Sequence, residues 1–108
     1  MPCQSAIREL HFTDVRVRRT EEFLRWITAL RDQRAAERIS ARLYRVSNGL
    51  MCDMKYFDGL GELRINYGPG YRIYFVRRGQ TIIVLLCGGD KSTQSRDITC
   101  ARGLAQEV

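Results

Sequence analysis

Lys55, Arg64, Arg72 and Lys91 are the residues of this chain best placed to act together, and cations gathered on one surface hold an anion. Strand register brings them together. With Tyr67 paired to Tyr71 across Gly68-Pro69-Gly70, Leu63 faces Phe75 and Ile65 faces Ile73, while Arg64 faces Tyr74 and Asn66 faces Arg72. Residues directly opposite share a face of a sheet, so one face is apolar and the other carries Glu62, Arg64, Asn66, Arg72 and Tyr74. A two-residue turn at Gly79-Gln80 sets Cys87 opposite Arg72 and brings Lys91 beside it, and a Phe57–Glu62 pair sets Lys55 opposite Arg64. Like charges on one face repel, so the cluster needs either the acidic neighbours Asp53, Glu62 and Asp90 or a bound anion. The glycines of Gly88-Gly89-Asp90-Lys91 lack phosphate-loop spacing and read as a strand-to-helix turn, which argues against ATP.

Charge agrees with an anionic partner. The 108 residues hold 18 Lys+Arg against 12 Asp+Glu, a net charge of +6, and all the basic residues except Lys55 and Lys91 are arginines. Arginine's planar fork suits phosphate and carboxylate, which points to nucleic acid or an acidic protein; a genome rich in G and C gives the same bias. Arg34, Arg38, Arg42 and Arg45 fall within a quarter-turn arc of one helix, which reads equally as a binding stripe and as a solvated face. Metal chemistry finds no support: His11 stands alone, and Cys3, Cys52, Cys87 and Cys100 are scattered without a C-x-x-C, as reduced thiols would be. No cofactor motif is present. No apolar run reaches a membrane span and no signal-peptide pattern opens the chain, so the expected location is cytoplasmic.

The elements that must position these residues follow from periodicity. A length of 108 residues, 44% hydrophobic and 28% charged, fits one domain over residues 1–108, with residues 1–10 read as a patternless extension. Asp14 to Arg18 alternates as a strand. Thr20 caps a helix in which Phe23, Trp26, Ile27 and Leu30 form an apolar stripe; this spacing makes Phe23 and Trp26 core residues, not a base-stacking platform. After a break at Arg31-Asp32, a second helix runs to Asn48 with Ala36, Ile39, Leu43 and Val46 inward, forming a helical hairpin with the first. Cys52–Phe57, Glu62–Tyr67, Tyr71–Arg78 and Thr81–Cys87 read as four strands, and Gln94–Ala105 as a last short helix. The fold class is α+β: an N-terminal strand, a helical hairpin on a four-stranded antiparallel sheet, and a short C-terminal helix.

Glu62-Leu63-Arg64-Ile65, Gly68-Pro69-Gly70-Tyr71-Arg72-Ile73-Tyr74-Phe75 and Leu85-Leu86-Cys87-Gly88-Gly89-Asp90-Lys91-Ser92-Thr93-Gln94, with Asp97-Ile98 and Ala101 after them, resemble the RelE/ParE superfamily of bacterial toxins. The nearest subgroup is the HigB-like addiction module killer proteins, and the likeness runs from about residue 14 to 105. The resemblance implies a RelE-like fold and a type II toxin–antitoxin function. The toxin would be a metal-independent, ribosome-dependent mRNA endoribonuclease (an mRNA interferase) that arrests growth. Its partners would be the ribosome, mRNA and a neutralising antitoxin of the helix-turn-helix, HigA-like kind. Arg72 matches the family's strand arginine best, Arg64 a second basic strand position, Lys55 one more loosely, and Lys91 the basic residue after the last strand. One departure stands out. Where ribonuclease members offer a Tyr or His, this chain reads Gln94-Ser95-Arg96-Asp97. The ParE branch folds alike and poisons DNA gyrase by contact, and a decayed toxin would serve only as its antitoxin's partner.

Within the nuclease reading, Arg64 and Arg72 hold the scissile phosphate, Lys55 or Lys91 relays protons, and Asp97 or Glu62 is the reserve base. Tyr74, Asn66, Arg38, Arg42 and Arg45 are the expected RNA contacts.

Overall fold

A computed structural model describes residues 15–51, 53–80 and 82–108. Expectations for residues 1–10, His11, Asp14, Cys3, Cys52 and Thr81 lie outside the described residues. The elements run β1 (Arg16–Arg19), α1 (Glu21–Ala29), α2 (Gln33–Ser47), β2 (Met54–Phe57), β3 (Leu60–Ile65), β4 (Tyr71–Arg78), β5 (Ile82–Asp90), a single 3-10 turn (Lys91–Thr93) and α3 (Gln94–Ala105). The α+β order is the one periodicity indicates. β4 and α3 have the expected bounds.

The sheet has five strands, ordered β1-β5-β4-β3-β2. β2 to β5 form the antiparallel meander, and β1 joins its far edge parallel to β5, with Val17 opposite Ile83. The expectation of a four-stranded sheet with a separate N-terminal strand is corrected here. β1 is mostly basic and exposed, but Val17 packs into the core beside Ile83, which is reason enough for the strand to pair.

Two helices cover one face of this sheet. Thr20 caps α1, its hydroxyl accepting from Phe23 N at 3.0 Å and donating to Leu86 O at 2.6 Å, so the cap also ties α1 to β5. Asp32 caps α2 by accepting from Arg34 N and Ala35 N. α1 lies along β5, and α2 rests against β1 and β3. Phe23, Ala35, Ile39, Leu43 and Val46 bury themselves on Leu63, Ile65, Ile73, Phe75, Ile83 and Leu85. Ala35 takes the fully buried place expected of Ala36. Phe23 is buried and Trp26 packs against the same cluster, which makes both part of the core.

The opposite face is covered too, as the continuously apolar run Ile82–Leu86 leads one to expect of a strand packed on both sides. α3 folds across it, and Leu60, Tyr74, Val76, Val84, Leu86, Cys87 and Ala101 form a second apolar cluster. Gly89 permits the close approach, because a Cβ there would run into the Asp97 carboxylate and Thr93 Oγ1.

Registers differ from expectation in an instructive way. Ile65, not Tyr67, pairs with Tyr71, and Lys55 pairs with Glu62, not Arg64. Both are shifts of two residues, which keep every side chain on its expected face. In the β4–β5 hairpin Arg78 pairs with Ile82, one residue from the expected register. A bulge then inserts Leu86 between the Phe75–Leu85 and Tyr74–Cys87 pairs. Beyond it Arg72 pairs with Gly89, and Cys87 keeps the face assigned to it.

Candidate anion-binding cleft

Arg64 on β3 and Arg72 on β4 are directly paired, at the end of the polar face that α3 leaves uncovered. Together with Asp53, Asn66, Gly70 and Lys91 they line a cleft of about 350 Å³. The Gly68-Pro69-Gly70 turn forms its rim; Gly68 and Gly70 have φ of 58° and 82°, the left-handed values that let the loop turn back. Lys91 enters from the 3-10 turn and packs beside Gly70. That turn is fixed by Asp90, whose carboxylate accepts from Ser92 N and Ser92 Oγ at 2.8 and 2.6 Å. The Ser92 hydroxyl, above all, holds the Asp90 carboxyl below its ordinary range.

Two guanidinium N–H groups of this cleft are left over, and Arg42 Nε on α2 is a third. The Nε atoms of Arg64 and Arg72 are both buried, and neither has a hydrogen-bond acceptor. Their carboxylate neighbours stand beyond hydrogen-bond reach, Asp53 Oδ1 at 3.6 Å from Arg64 and Glu62 Oε2 at 3.9 Å from Arg72. The Arg72 side chain is only 12% exposed, so it is a desolvated cation with spare donors.

A second cleft, of about 430 Å³, adjoins the first and shares Asp53, Arg64, Ile65 and Asn66 with it. Its other wall is α2, with Arg38, Arg42 and Arg45. The Arg38 guanidinium lies over the Tyr67 ring, 4.7 Å from its centroid.

The structure therefore brings together Arg64, Arg72, Lys91 and Asn66, with Arg38 and Arg45 next door. The other expected residues need correction. Lys55 lies two positions further along, its Nζ 5.9 Å from the Phe57 ring, and does not line the cleft. Tyr74 is fully buried beneath α3 and cannot meet RNA; burial first, and the Glu62 carboxylate next, push its phenol up. Glu62 is 1% exposed and accepts from Gln94 Nε2 at 2.8 Å, which removes it as a reserve base. Asp97 is buried over Gly89 and hydrogen-bonded by the Thr93 hydroxyl, so it holds α3 down. Arg42 points inward from α2, donating to Arg64 O at 2.7 Å and Asp53 O at 3.0 Å. Desolvation lowers its guanidinium pKa, and the Asp53 charge opposes that shift.

Sequence reasoning assigns Asp53 no role beyond a counter-charge. Yet Asp53 lines both clefts and has φ of 48°, the left-handed region in which Asp and Asn are the tolerated non-glycine residues. Among the described residues no group of three or more His, Cys, Asp or Glu is placed to hold a metal ion, and no helix is long and apolar enough to cross a membrane.

A protein of Haemophilus influenzae is 43% identical to this chain over 95 residues, which cover 87% of this chain and 96% of that protein. The chain belongs to that protein's family. The Haemophilus member is described as an uncharacterized protein. No family model matches the chain.

Proposed function

We propose that this chain is a RelE/ParE-type toxin, HigB-like, that cleaves mRNA on the ribosome and is neutralised by a cognate helix-turn-helix antitoxin. The observation that carries the reading is the Arg64–Arg72 pair. Two arginines directly opposite on adjacent strands repel, and each has a buried donor without an acceptor. The Asp53 and Glu62 carboxylates, at 3.6 and 3.9 Å, offset part of that charge but accept from neither Nε, and a phosphate seated between the arginines would accept from both.

The chemistry of RNA self-cleavage fits such a seat. Attack of a 2′-hydroxyl on the neighbouring phosphate builds negative charge on the phosphorane oxygens, and preorganised cations in a partly dry site stabilise that charge. Arg64 and Arg72 would hold the phosphate, and the Lys91 ammonium would give a proton to the departing 5′-oxygen. The adjoining cleft extends the basic path along α2, so that Arg38 and Arg45 would contact the flanking phosphates of a single strand.

Mapping mRNA 5′ ends by primer extension, after the protein is induced in growing cells, tests this. The expected result is cuts confined to translated frames, lost in Arg72→Lys and suppressed when the antitoxin is co-expressed. Intact messages with broken or stalled chromosomes would replace the reading with gyrase poisoning. Normal growth on induction would leave only an inactive partner of the antitoxin.

A further inference from the structure

We propose that Asp53 is the proton acceptor of this cleft, taking the proton from the attacking 2′-hydroxyl; the assignment rests on reading the cleft as an RNA-cleaving site. A cleavage of this kind needs a base within reach of the 2′-oxygen as well as cations on the phosphate. Three carboxylates near the basic residues fail that requirement. Glu62 lies sealed under α3, Asp97 is buried over Gly89, and the Asp90 carboxylate is taken up by Ser92. Asp53 passes. Its side chain is 48% exposed, it lines the same cleft as Arg64, Arg72 and Lys91, and it is the one carboxylate residue among those lining that cleft.

Its backbone is tied down from two elements. Asp53 O accepts from Arg64 N at 3.1 Å and from the buried Arg42 guanidinium at 3.0 Å. These two bonds fix a left-handed residue just before β2, and its carboxylate comes within 3.6 Å of Arg64 Nε. Arg42 thus acts as a positioning residue for Asp53, which accounts for an arginine turned away from solvent.

The step balances within the chain and its substrate. The 2′-hydroxyl proton passes to Asp53, the 2′-oxygen bonds to phosphorus, the bond from phosphorus to the 5′-oxygen breaks, and Lys91 protonates that oxygen. The products are a 2′,3′-cyclic phosphate and a 5′-hydroxyl, and exchange with water returns both side chains to their starting states.

The test uses the purified full chain on ribosomes translating a defined message, under single turnover. Asp53→Asn keeps the size and the tolerance for positive φ, so it should fold normally, checked by circular dichroism, and lower the cleavage rate by roughly 10²–10³-fold. Asp53→Gly also suits the backbone and leaves room for a small acid, so added formate should restore a measurable part of its rate and none of that of Arg72→Lys. An Asp53→Asn rate within about threefold of wild type overturns the assignment. So does an Asp53→Gly variant that is folded, slow and deaf to formate. Wild-type protein that leaves the message intact overturns the RNA-cleaving reading itself, and the assignment with it.

Discussion

Arg72 Nε stands 3.9 Å from Glu62 Oε2, and the two side chains form a buried ion pair that joins the cleft to the part of the same sheet face that α3 covers. Gln94 Nε2, in the first turn of α3, donates to the same Glu62 oxygen at 2.8 Å. The arginine therefore has a donor to spare at the cleft and serves as counter-ion to the carboxylate under α3. Charge on the cleft floor and packing of α3 are coupled through one carboxylate.

Replacing Arg72 should accordingly do two separable things. Arg72→Ala leaves Glu62 buried with only the Gln94 hydrogen bond, and removing one partner of a buried pair costs roughly 3 kcal/mol. Adding Glu62→Gln neutralises the stranded charge and should recover most of the urea midpoint. Toxicity should stay lost in the double variant, because no cation replaces the missing donor. A double variant that regains both stability and growth arrest would remove Arg72 from the site.

How much of this was legible follows from the same residues. The period-2 pattern of Tyr71–Arg78 and the charged positions of Arg64 and Arg72 were enough to put both arginines on one face, because the β3–β4 register error was even and an even slip preserves faces. The continuously apolar run Ile82–Leu86 marks a strand covered on both faces, but not that α3 is the cover or how far it reaches. Glu62 and Tyr74 look like solvent-side residues in an alternating strand, and only the close approach at Gly89 admits the helix that buries them. Arg42 sits at the edge of the polar arc nearest Val46 and Ile39, and that angular position is the sign in the spacing that it, and not Arg34, Arg38 or Arg45, turns inward. Asp53 carried its signal in φ, which composition does not record.

The three arginines of α2 that line the second cleft should therefore separate in experiment. Arg38 and Arg45 are exposed, so Arg38→Ala and Arg45→Ala should weaken RNA binding and flatten its salt dependence. The log–log slope should fall by roughly 0.7 for each single-strand phosphate that goes without its arginine. Stability should change little. Arg42→Ala should lower stability by roughly 2 kcal/mol, since the Arg64 and Asp53 carbonyls would be deprived of a charged donor. Salt titrations of RNA affinity, paired with urea melts, distinguish the two patterns. An Arg42→Ala variant as stable as wild type would contradict the inward geometry.

Alkaline pH should destabilise the chain through its second core. Burial holds the Cys87 thiol and the Tyr74 phenol above their ordinary pKa values of 9.0 and 10.0, so both keep their protons longer folded than unfolded. That preference is fully present below those ordinary values. It is lost as pH rises past them, where the unfolded chain ionises and the folded one cannot without solvating buried groups. Urea midpoints measured from about pH 7 to 11 should fall from about pH 9 upward. Tyr74→Phe, which removes a buried hydroxyl without a partner, should flatten the upper part of that fall and leave cleavage unchanged. A slope in Tyr74→Phe identical to wild type above about pH 10 would place the phenol in solvent.

Asp97 separates a structural carboxylate from a chemical one. Read from sequence, it is a reserve base, and Asp97→Asn would then stop cleavage. In the fold its carboxylate lies over Gly89 and takes a hydrogen bond from Thr93, while its backbone oxygen lies 3.5 Å from Cys87 Sγ. Asp97→Asn should therefore lower stability by roughly 1–2 kcal/mol and leave the single-turnover rate near wild type once folded protein is matched. Gly89→Ala makes the complementary test. The added methyl collides with that carboxylate and with Thr93 Oγ1, and overpacking of this kind costs roughly 1–3 kcal/mol. In Gly89→Ala/Asp97→Ala the space vacated by the carboxyl group accepts the methyl, so the double variant should be more stable than the sum of the single losses predicts. Strict additivity would mean that α3 does not rest on β5 at this point. Loss of cleavage by a stable Asp97→Asn variant would return Asp97 to the site.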